Sequence, residues 1–379
     1  MKKKFTLMAI IGLLLVPFVM STASAKTLKL GMMGPLTGPY AADGNDIKNG
    51  VLTAIEVIEE EGGIPGFDKI ELFPQDTACD PKQAVAGANK LINLEVVGVI
   101  GAYCSSSTIP ASETLAEEDI PMLTPASTNE KVTDRGLPYM FRVCGRDDAQ
   151  APAAVKFIKE SLKAKTIFIV DDKTTYSQGL AEGVNAAAQK SGIEVLSHDH
   201  VNQGDKDFSA LLTNAKQANA DVLYMSLQNH ATGSLMAIQA KRLGLKGIIV
   251  SQDAMYHPNF IKVAKDAAEG VYVTYGYTDK ATAAYKNYEK KFTAKYGEVG
   301  AYGTYAYDAA IVLMRAIKSA KSTDPAKIKA EILKMDFQGA SKKIKFNQKG
   351  DSGSSYIAYK IENGEYQLYW NPETGYYKK

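Results

Sequence analysis

Short apolar runs alternate along most of the chain with segments whose apolar residues recur every three or four positions. The run "TLKLGMM" has the length and composition of a β-strand, and the next segment places Ile47, Val51 and Ile55 on one face of a helix. The run "KIELFPQD" predicts a second strand, followed by a helix in "DPKQAVAGANKLIN" with Asp80 as N-cap and Pro81 as its first residue. Such alternation is typical of a parallel sheet covered by helices on both faces.

The same alternation continues through the middle of the chain. Further strands are predicted in "VVGVIG", "IPMLTPA", "KTIFIVDD", "ADVLYMSL" and "KGIIVSQ", with helices between them such as Asp207–Ala220. The segment "GRDDAQAP" from Gly145 marks a junction, after which a fresh series begins at Ala151. Two consecutive helices follow in "TDKATAAYKNYEKKFTAKYG" and "YGTYAYDAAIVLMRAI", and the tail from Ser341 alternates like antiparallel strands. This organisation predicts two similar α/β lobes.

The first 25 residues have the three parts of a secretory signal peptide. Three lysines precede an apolar stretch from Phe5 to Met20, and "ASA" ends at Ala25. The apolar stretch is short for a membrane span and is interrupted at Pro17. Cleavage after Ala25 would leave Lys26 at the new N-terminus, where a lipid anchor would need cysteine. We therefore expect a free periplasmic protein.

Charge and length narrow the classes of function. The chain has 44 basic and 42 acidic residues, and loss of three lysines with residues 1–25 changes the net charge from +2 to −1. No basic run stands out, which argues against a nucleic acid or a membrane surface as partner. A mature chain of about 350 residues is longer than a typical domain with a single hydrophobic core, which again favours two lobes.

Three cysteines are present, at positions 79, 104 and 144. Export permits a disulfide, and an odd count leaves one thiol over. We expect Cys79 to pair with Cys104, across a helix–strand unit of about 26 residues, with Cys144 free. The alternative is that all three are buried apolar thiols, which are common. The chain has no C-x-x-C pair, so a structural zinc site has little support.

Two hydroxyl-rich segments follow predicted strands. In an open parallel sheet, ligands bind beyond the carboxyl ends of the strands, where loops lead into helix N-termini. Both "CSSST" and "TPASTNE" occupy such places, and their backbone N–H groups and hydroxyls suit a carboxylate. Ordinary helix caps are the alternative interpretation. The glycines of "GMMGPLTG" lack the G-x-G-x-x-G spacing, and Pro35 removes an amide, so nucleotide binding is disfavoured.

Two further segments resemble a catalytic motif and a metal-binding motif. The segment "GDSGS" from Gly350 resembles a serine-protease nucleophile loop, but it lies between two alternating runs, where Gly and Asp make a turn. A G-x-S-x-G elbow is absent from the sequence. His198 and His200 in "HDH" share one face of a strand and could form a weak metal site, but a solvated strand end is the favoured interpretation, because suitable ligands are missing nearby. We therefore expect no catalytic residue, no metal and no cofactor.

Several segments together resemble one family. The chain is similar to the leucine/isoleucine/valine-binding proteins of ABC transporters through "GPLTGPYAADG", "DTACDPKQAVAGANKLI", "YCSSSTIPAS", "MLTPASTNEKVTDRG", "FRVCGRDDAQ", "DDKTTYSQGLAEG" and "GDKDFSALL". The resemblance implies the type I periplasmic binding fold, a clamshell of two Rossmann-like lobes with parallel sheets and three crossovers. Lobe 1 would comprise residues 26–147 and 276–345, and lobe 2 residues 148–275 and 346–379. The implied partners are a small amino acid and an inner-membrane ABC permease, with the protein itself a monomer.

The resemblance also implies a clamp for the ligand's backbone groups. Ser105 and Thr128 would hold the α-carboxylate. The carbonyl of Ala126 and the hydroxyl of Thr128 would receive the ammonium group, together with Asp253 from the second lobe. Tyr176 would line the closing face. This assignment agrees with the physics of a zwitterion, since a buried charge without a partner is costly.

The positions implied for the ligand side chain depart from the family pattern. Asp43 stands where an aromatic residue is usual, Gln228 replaces a tyrosine, and Tyr103 stands where leucine is usual. Tyr302 retains an aromatic residue at one wall of the implied site. A branched-chain amino acid is the ligand that the resemblance favours. The alternatives are a polar amino acid or a small amide or carboxylate, a sensor rather than a transport protein, and, disfavoured, a secreted hydrolase.

Overall fold

The structure, a computed structural model, describes residues 26–377, so the predicted signal peptide lies outside the described residues. The first lobe has a five-stranded parallel sheet in the order β2-β1-β3-β4-β5. Its elements in chain order are β1 (Thr27–Gly34), α1 (Ala41–Glu60), β2 (Lys69–Asp76), α2 (Pro81–Asn93), β3 (Val99–Ile100), α3 (Ser105–Ala116), β4 (Met122–Thr124), α4 (Lys131–Asp134) and β5 (Met140–Arg142). A short 3-10 helix, Gly38–Tyr40, precedes α1.

The second lobe begins with a parallel series of its own. Its first elements are α5 (Asp147–Glu160), β6 (Thr166–Asp171), α6 (Thr175–Ser191), β7 (Glu194–His200), α7 (Ser209–Ala218), β8 (Val222–Ser226), α8 (His230–Arg242), β9 (Ile248–Ser251), α9 (Pro258–Ala264) and β10 (Tyr272–Gly276). Two 3-10 helices, Asp253–Met255 and Lys265–Ala267, flank α9.

The chain then returns to the first lobe and crosses back once more. The returning elements are α10 (Ala283–Tyr296), α11 (Gly303–Ala320), α12 (Pro325–Ile332), β11 (Asp336–Gln338) and β12 (Lys343–Lys345). The last strands, β13 (Tyr356–Glu362), β14 (Glu365–Asn371) and β15 (Tyr376–Tyr377), join the second sheet, whose order is β15-β14-β13-β10-β9-β8-β6-β7. The chain therefore passes between the lobes three times, as predicted, although the boundary residues given above stay a prediction.

Each lobe buries its own apolar core. In the first lobe, the helical face predicted from Ile47 and Val51 of α1 packs in one cluster with Ile311 and Val312 of α11, next to Leu30 of β1. The second core is a separate cluster that gathers α5, α6 and the second sheet. Within residues 26–377, no helix has the length and apolarity needed to span a membrane.

Capping residues explain where helices α2 and α7 begin or end. The Asp80 carboxylate accepts a hydrogen bond from the Gln83 N–H at 2.8 Å, so α2 begins at Pro81 as predicted. Helix α7 is shorter than predicted. It ends at Ala218 because Asn219 adopts a left-handed conformation with φ of 49°.

The tail was predicted as a run of antiparallel strands, and this is only partly right. Strands β13 and β14 form an antiparallel hairpin across Asn363 and Gly364. Strand β12, however, pairs with β11 in a separate two-stranded sheet. The segment 346–355, which contains "GDSGS", therefore crosses between the lobes instead of closing a hairpin with β13.

The predicted disulfide is confirmed. Cys79 and Cys104 are bonded, with their Cα atoms 5.5 Å apart, and Cys144 is free and buried. A cross-link that closes a loop of this length stabilises a fold by roughly 3–4 kcal/mol in the chain-entropy account. It also fixes the loop after β2 to the residue that precedes α3, whose first residue is Ser105.

Candidate functional site

A small cavity lies between the lobes at the carboxyl ends of the strands. It is lined by Tyr103, Ser105, Ala126, Tyr176, Gln228, Asp253 and Tyr302. All seven are among the nine residues proposed from the sequence. The lining residues leave little free space between them, so the cavity suits a small solute.

The serine-rich segment forms one side of this cavity. Ser105 is the first residue of α3, and its hydroxyl accepts a hydrogen bond from the Asn129 N–H at 3.4 Å. The hydroxyls of Thr108 and Ser127 lie 2.6 Å apart and tie this segment to the loop after β4. A helix N-terminus carries unpaired N–H groups and a partial positive charge, so this side suits an anion.

A buried arginine holds the loop that contains Ala126 and Thr128. The Arg142 guanidinium donates to the carbonyl oxygens of Ser127, Thr128 and Asn129 at 3.2, 2.9 and 2.7 Å. Its Nε donates to the Asp351 carboxylate at 2.8 Å, and both side chains are buried. The loop is thus fixed through its carbonyl groups, whereas the buried Thr128 hydroxyl has no hydrogen-bond partner among residues 26–377.

An acid from the second lobe closes the other side. Asp253 starts the 3-10 helix after β9, and the Tyr176 hydroxyl donates to its carboxylate and lies 2.5 Å from the side-chain oxygen of Gln252. Burial raises the pKa of Asp253 to about 6. A buried acid that has a raised pKa gains from a cationic partner, because a nearby positive charge stabilises its ionised form.

A second buried acid, Asp147, was missed by the sequence reasoning. Asp147 is the first residue of α5, its N–H donates to the Thr128 carbonyl at 3.0 Å, and both carboxylate oxygens lack a partner within the described part of the chain. Burial, followed by the charges of Asp253 and Glu130, raises its pKa well above the usual value. Its signal was the acid pair in "GRDDAQ", a segment interpreted as a junction and as part of the family resemblance, with no role given to either acid.

Aromatic rings form the wall of the cavity. The rings of Tyr103 and Tyr302 meet edge to face, with centroids 5.0 Å apart, and Tyr40 lies 6.1 Å from Tyr103. The backbone N–H of Gln228 donates to the Asp172 carboxylate at 2.8 Å. This hydrogen bond fixes the backbone position from which the Gln228 side chain extends. The wall is therefore mainly aromatic with one amide.

Two of the nine proposed residues do not line the cavity. Thr128 lies next to it, in the loop described above. Asp43 is buried and meets the second lobe instead, with its carboxylate oxygens 3.8 Å from His230 Nδ1 and 3.7 Å from His257 Nε2. Burial, and then the charge of Asp46, raises the pKa of Asp43 to about 8.

Direct contacts across the cleft hold the lobes together around the cavity. The Asn129 amide donates to the Thr175 carbonyl at 3.0 Å, and the Gln203 amide donates to the Tyr40 hydroxyl at 2.8 Å. The Asn229 amide donates to the Pro39 carbonyl at 3.2 Å. The structure is thus a closed form, which explains why the cavity is small.

Comparison with known proteins identifies the family. The sequence profile described as "Periplasmic binding protein" matches residues 27–364. The chain belongs to this family. It is 36% identical over 352 residues to the leucine-, isoleucine-, valine-, threonine-, and alanine-binding protein of Pseudomonas aeruginosa, covering 93% of this chain and 92% of that protein. A Leu/Ile/Val-binding protein of Rhizobium johnstonii is also 36% identical, over 346 residues, 89% of this chain and 92% of that protein.

Solved structures agree with this family assignment. The leucine-binding protein LivK from Thermotoga maritima has a TM-score of 0.85 and 31% identity, covering 92% of this chain and 99% of that chain. The substrate-binding protein LivJ from Streptococcus pneumoniae, solved with isoleucine, has a TM-score of 0.83 at 24% identity, which supports the fold alone. The predicted type I periplasmic binding fold is confirmed, and the members of this family are solute-binding proteins.

Proposed function

We propose that this periplasmic binding protein captures a branched-chain amino acid between its lobes and delivers it, chemically unchanged, to an inner-membrane ABC permease. The observation that carries the proposal is the chemistry of the cavity. A helix N-terminus with Ser105 lies on one side, the buried acid Asp253 lies on the other, and aromatic rings form the wall. A zwitterion with an apolar side chain matches all three surfaces.

The polar groups divide into two sets. Ser105 and the N-terminus of α3 would hold the ligand carboxylate, with help from Thr128. The Ala126 carbonyl, the Thr128 hydroxyl and Asp253 would receive the ammonium group. The Thr128 hydroxyl, which is buried without a hydrogen-bond partner in the closed cleft, supports this role. An unpaired buried polar group destabilises the closed form, and a hydrogen bond to the ligand would remove that penalty.

Asp147 enlarges this account. Its carboxylate is buried next to the Thr128 backbone, and the charge of Asp253 adds to burial in raising its pKa. We infer that the ammonium group favours ionisation of Asp147 when it enters, so that both acids contribute attraction. Tyr176 orients Asp253 through its hydroxyl.

The rings of Tyr103 and Tyr302 would pack against the ligand side chain. Burial of apolar surface contributes about 25 cal/mol per Å², which favours leucine, isoleucine or valine in a dry site. The names of the Pseudomonas and Rhizobium relatives support the same class. A polar amino acid, or a small amide or carboxylate, is the second candidate, because the Gln228 amide is part of the wall.

Several accompanying properties belong to the same proposal. The protein would be exported, cleaved after Ala25 and monomeric, and it would catalyse no reaction. Mass spectrometry of the exported protein should give an N-terminus at Lys26, and light scattering should give the mass of one chain. Permease and ATPase genes beside its own gene would favour transport over sensing.

Titration calorimetry tests the binding proposal. Leucine, isoleucine and valine should each bind at one site, and the ligand recovered afterwards should be chemically unchanged. If these three fail at millimolar concentration while a polar amino acid binds in the micromolar range, the second candidate replaces the first. Recovery of a hydrolysis product would contradict the non-enzymatic role.

A further inference from the structure

The two histidines set aside in the sequence have a third partner in the structure. Strands β6 and β7 are parallel neighbours, and their register places Asp171 opposite His200. The Asp171 Oδ2 atom lies 2.7 Å from His198 Nε2 and 2.8 Å from His200 Nδ1. The interpretation of "HDH" as a strand end without further ligands was therefore incomplete, because the missing group lies 27 residues away on the adjacent strand.

The carboxylate is held in a fixed orientation. Asp171 is fully buried, and its Oδ1 atom accepts a hydrogen bond from the Lys173 N–H at 2.8 Å. This leaves Oδ2 for the two imidazoles.

We propose that Asp171, His198 and His200 form a binding site for a divalent transition-metal ion such as Zn²⁺. Two imidazole nitrogens and one carboxylate oxygen form the donor set of zinc sites that keep an open coordination position. The His200 side chain is 41% exposed, which gives the ion a path from solvent and leaves room for water ligands.

Binding of the ion requires only a small rearrangement. Bonds of about 2.0–2.1 Å at tetrahedral angles place neighbouring donor atoms roughly 3.3 Å apart, so the two contacts of Asp171 Oδ2 would lengthen by about half an ångström. In each neutral ring the proton would move to the other nitrogen, His198 Nδ1 or His200 Nε2, so that the nitrogen facing Oδ2 presents its lone pair to the ion. Among the described residues, no other hydrogen bond fixes the tautomer of either ring, so each nitrogen is free to present a lone pair.

A second cluster, formed by Asp43, His230 and His257, is a weaker candidate for the same ion. The Nδ1 atom of His257 already accepts a hydrogen bond from the Asn259 N–H at 3.0 Å. In a neutral ring this places the proton on Nε2, the atom that faces Asp43, so the lone pair is not available there. The geometry therefore favours the site at Asp171.

The experiment uses the mature full-length protein without a histidine tag, treated with chelator and dialysed. Calorimetric titration with ZnCl₂ should show one site in the micromolar range, and ZnCl₂ should raise the melting temperature. Co²⁺ should give the visible absorption of a nitrogen- and oxygen-ligated ion. The variants His198→Gln and His200→Gln should each weaken Zn²⁺ binding at least about tenfold.

Matched controls distinguish this site from others. Asp199 lies between the two histidines and points to the opposite face of β7, so Asp199→Asn should retain Zn²⁺ affinity. Retained affinity in the His198→Gln/His200→Gln double variant, or loss in His257→Gln, would place the ion elsewhere and overturn the proposal. Absence of any Zn²⁺ binding by the folded wild-type protein would also overturn it. The proposal that the cleft binds an amino acid does not depend on the outcome of this zinc experiment.

Discussion

His257 Nε2 of the second lobe lies 3.7 Å from Asp43 Oδ1 of the first lobe, and both side chains are buried. Because His257 Nδ1 accepts a backbone hydrogen bond from Asn259, the Nε2 proton points across the cleft toward the carboxyl group. Asp43 therefore lies behind the cavity wall, between Tyr103 and the histidines of the opposite lobe, and does not itself line the cavity. Its polarity then carries little information about the ligand side chain.

The variant Asp43→Asn tests this placement. Because Asn has nearly the same shape and can still meet His257, leucine affinity should change by less than about threefold, well under 1 kcal/mol. Titration calorimetry with leucine measures this directly. A loss beyond about tenfold would mean that Asp43 contacts the ligand.

The same variant should change the pH dependence of stability. The pKa of Asp43 is raised to about 8 in the folded protein, whereas an unfolded aspartate has a pKa near 3.9. Between these values the native carboxyl group holds a proton that the unfolded chain has released, so its contribution to stability falls as pH rises. The stability of Asp43→Asn relative to wild type should therefore increase from about pH 5 to about pH 8. Urea unfolding at both pH values measures the difference, and a constant difference would contradict it.

Loss of the ammonium partners should weaken binding more than folding. Asp253→Asn should cost about 2–5 kcal/mol of leucine affinity, the range for a desolvated charge partner. Thr128→Val should cost about 1–3 kcal/mol, the penalty for one unpaired buried group. Asp308→Asn is the matched control, since Asp308 is also buried and its hydrogen-bond partners within the described part of the chain are Ala340 and Ser341 in the first lobe. Unchanged affinity in Asp253→Asn would mean that another acid binds the ligand ammonium group, and Asp147 would be the next residue to test.

Ligand affinity should depend on pH through Asp253. Its pKa is about 6, so the carboxyl group becomes protonated below that pH and loses its attraction for the ammonium group. Leucine affinity should fall by up to about tenfold per pH unit below pH 6 and level off above pH 7. Calorimetry across this range measures the profile, which should flatten in Asp253→Asn. An affinity that stays constant down to about pH 5 would disagree with this role.

Arg142 should be important for both stability and binding. Arg142→Lys cannot reproduce the bonds to three carbonyl groups and Asp351, and breaking a buried ion pair typically costs about 3–5 kcal/mol. Leucine affinity should also fall, because the loop with Thr128 loses its support. The exposed pair of Arg315 and Glu61 provides the control, with a loss of about 0–1 kcal/mol in Arg315→Lys. Equal losses in the two variants, measured by urea unfolding, would argue against the role of Arg142.

The sequence predicted the strand–helix order well because each element carries its own local signal. The hydrophobic period and the Asp80 cap suffice for α2, and hydroxyl-rich loops at strand ends indicate where a cavity forms. Arg142 and Asp147 were missed because their roles depend on distant partners. Asp351, which pairs with Arg142, lies 209 residues away. The partner of β12 and the third member of the histidine cluster were missed for the same reason, since strand pairing is not a local property.

The most direct test of the central claim is calorimetric titration of the mature protein with leucine at neutral pH, with Asp253→Asn and Asp308→Asn in parallel. We expect one zwitterion per protein, micromolar or tighter binding by the wild type and by Asp308→Asn, and a large loss in Asp253→Asn. Binding of no amino acid by the folded wild-type protein at millimolar concentration would contradict the claim that the cleft is an amino-acid site.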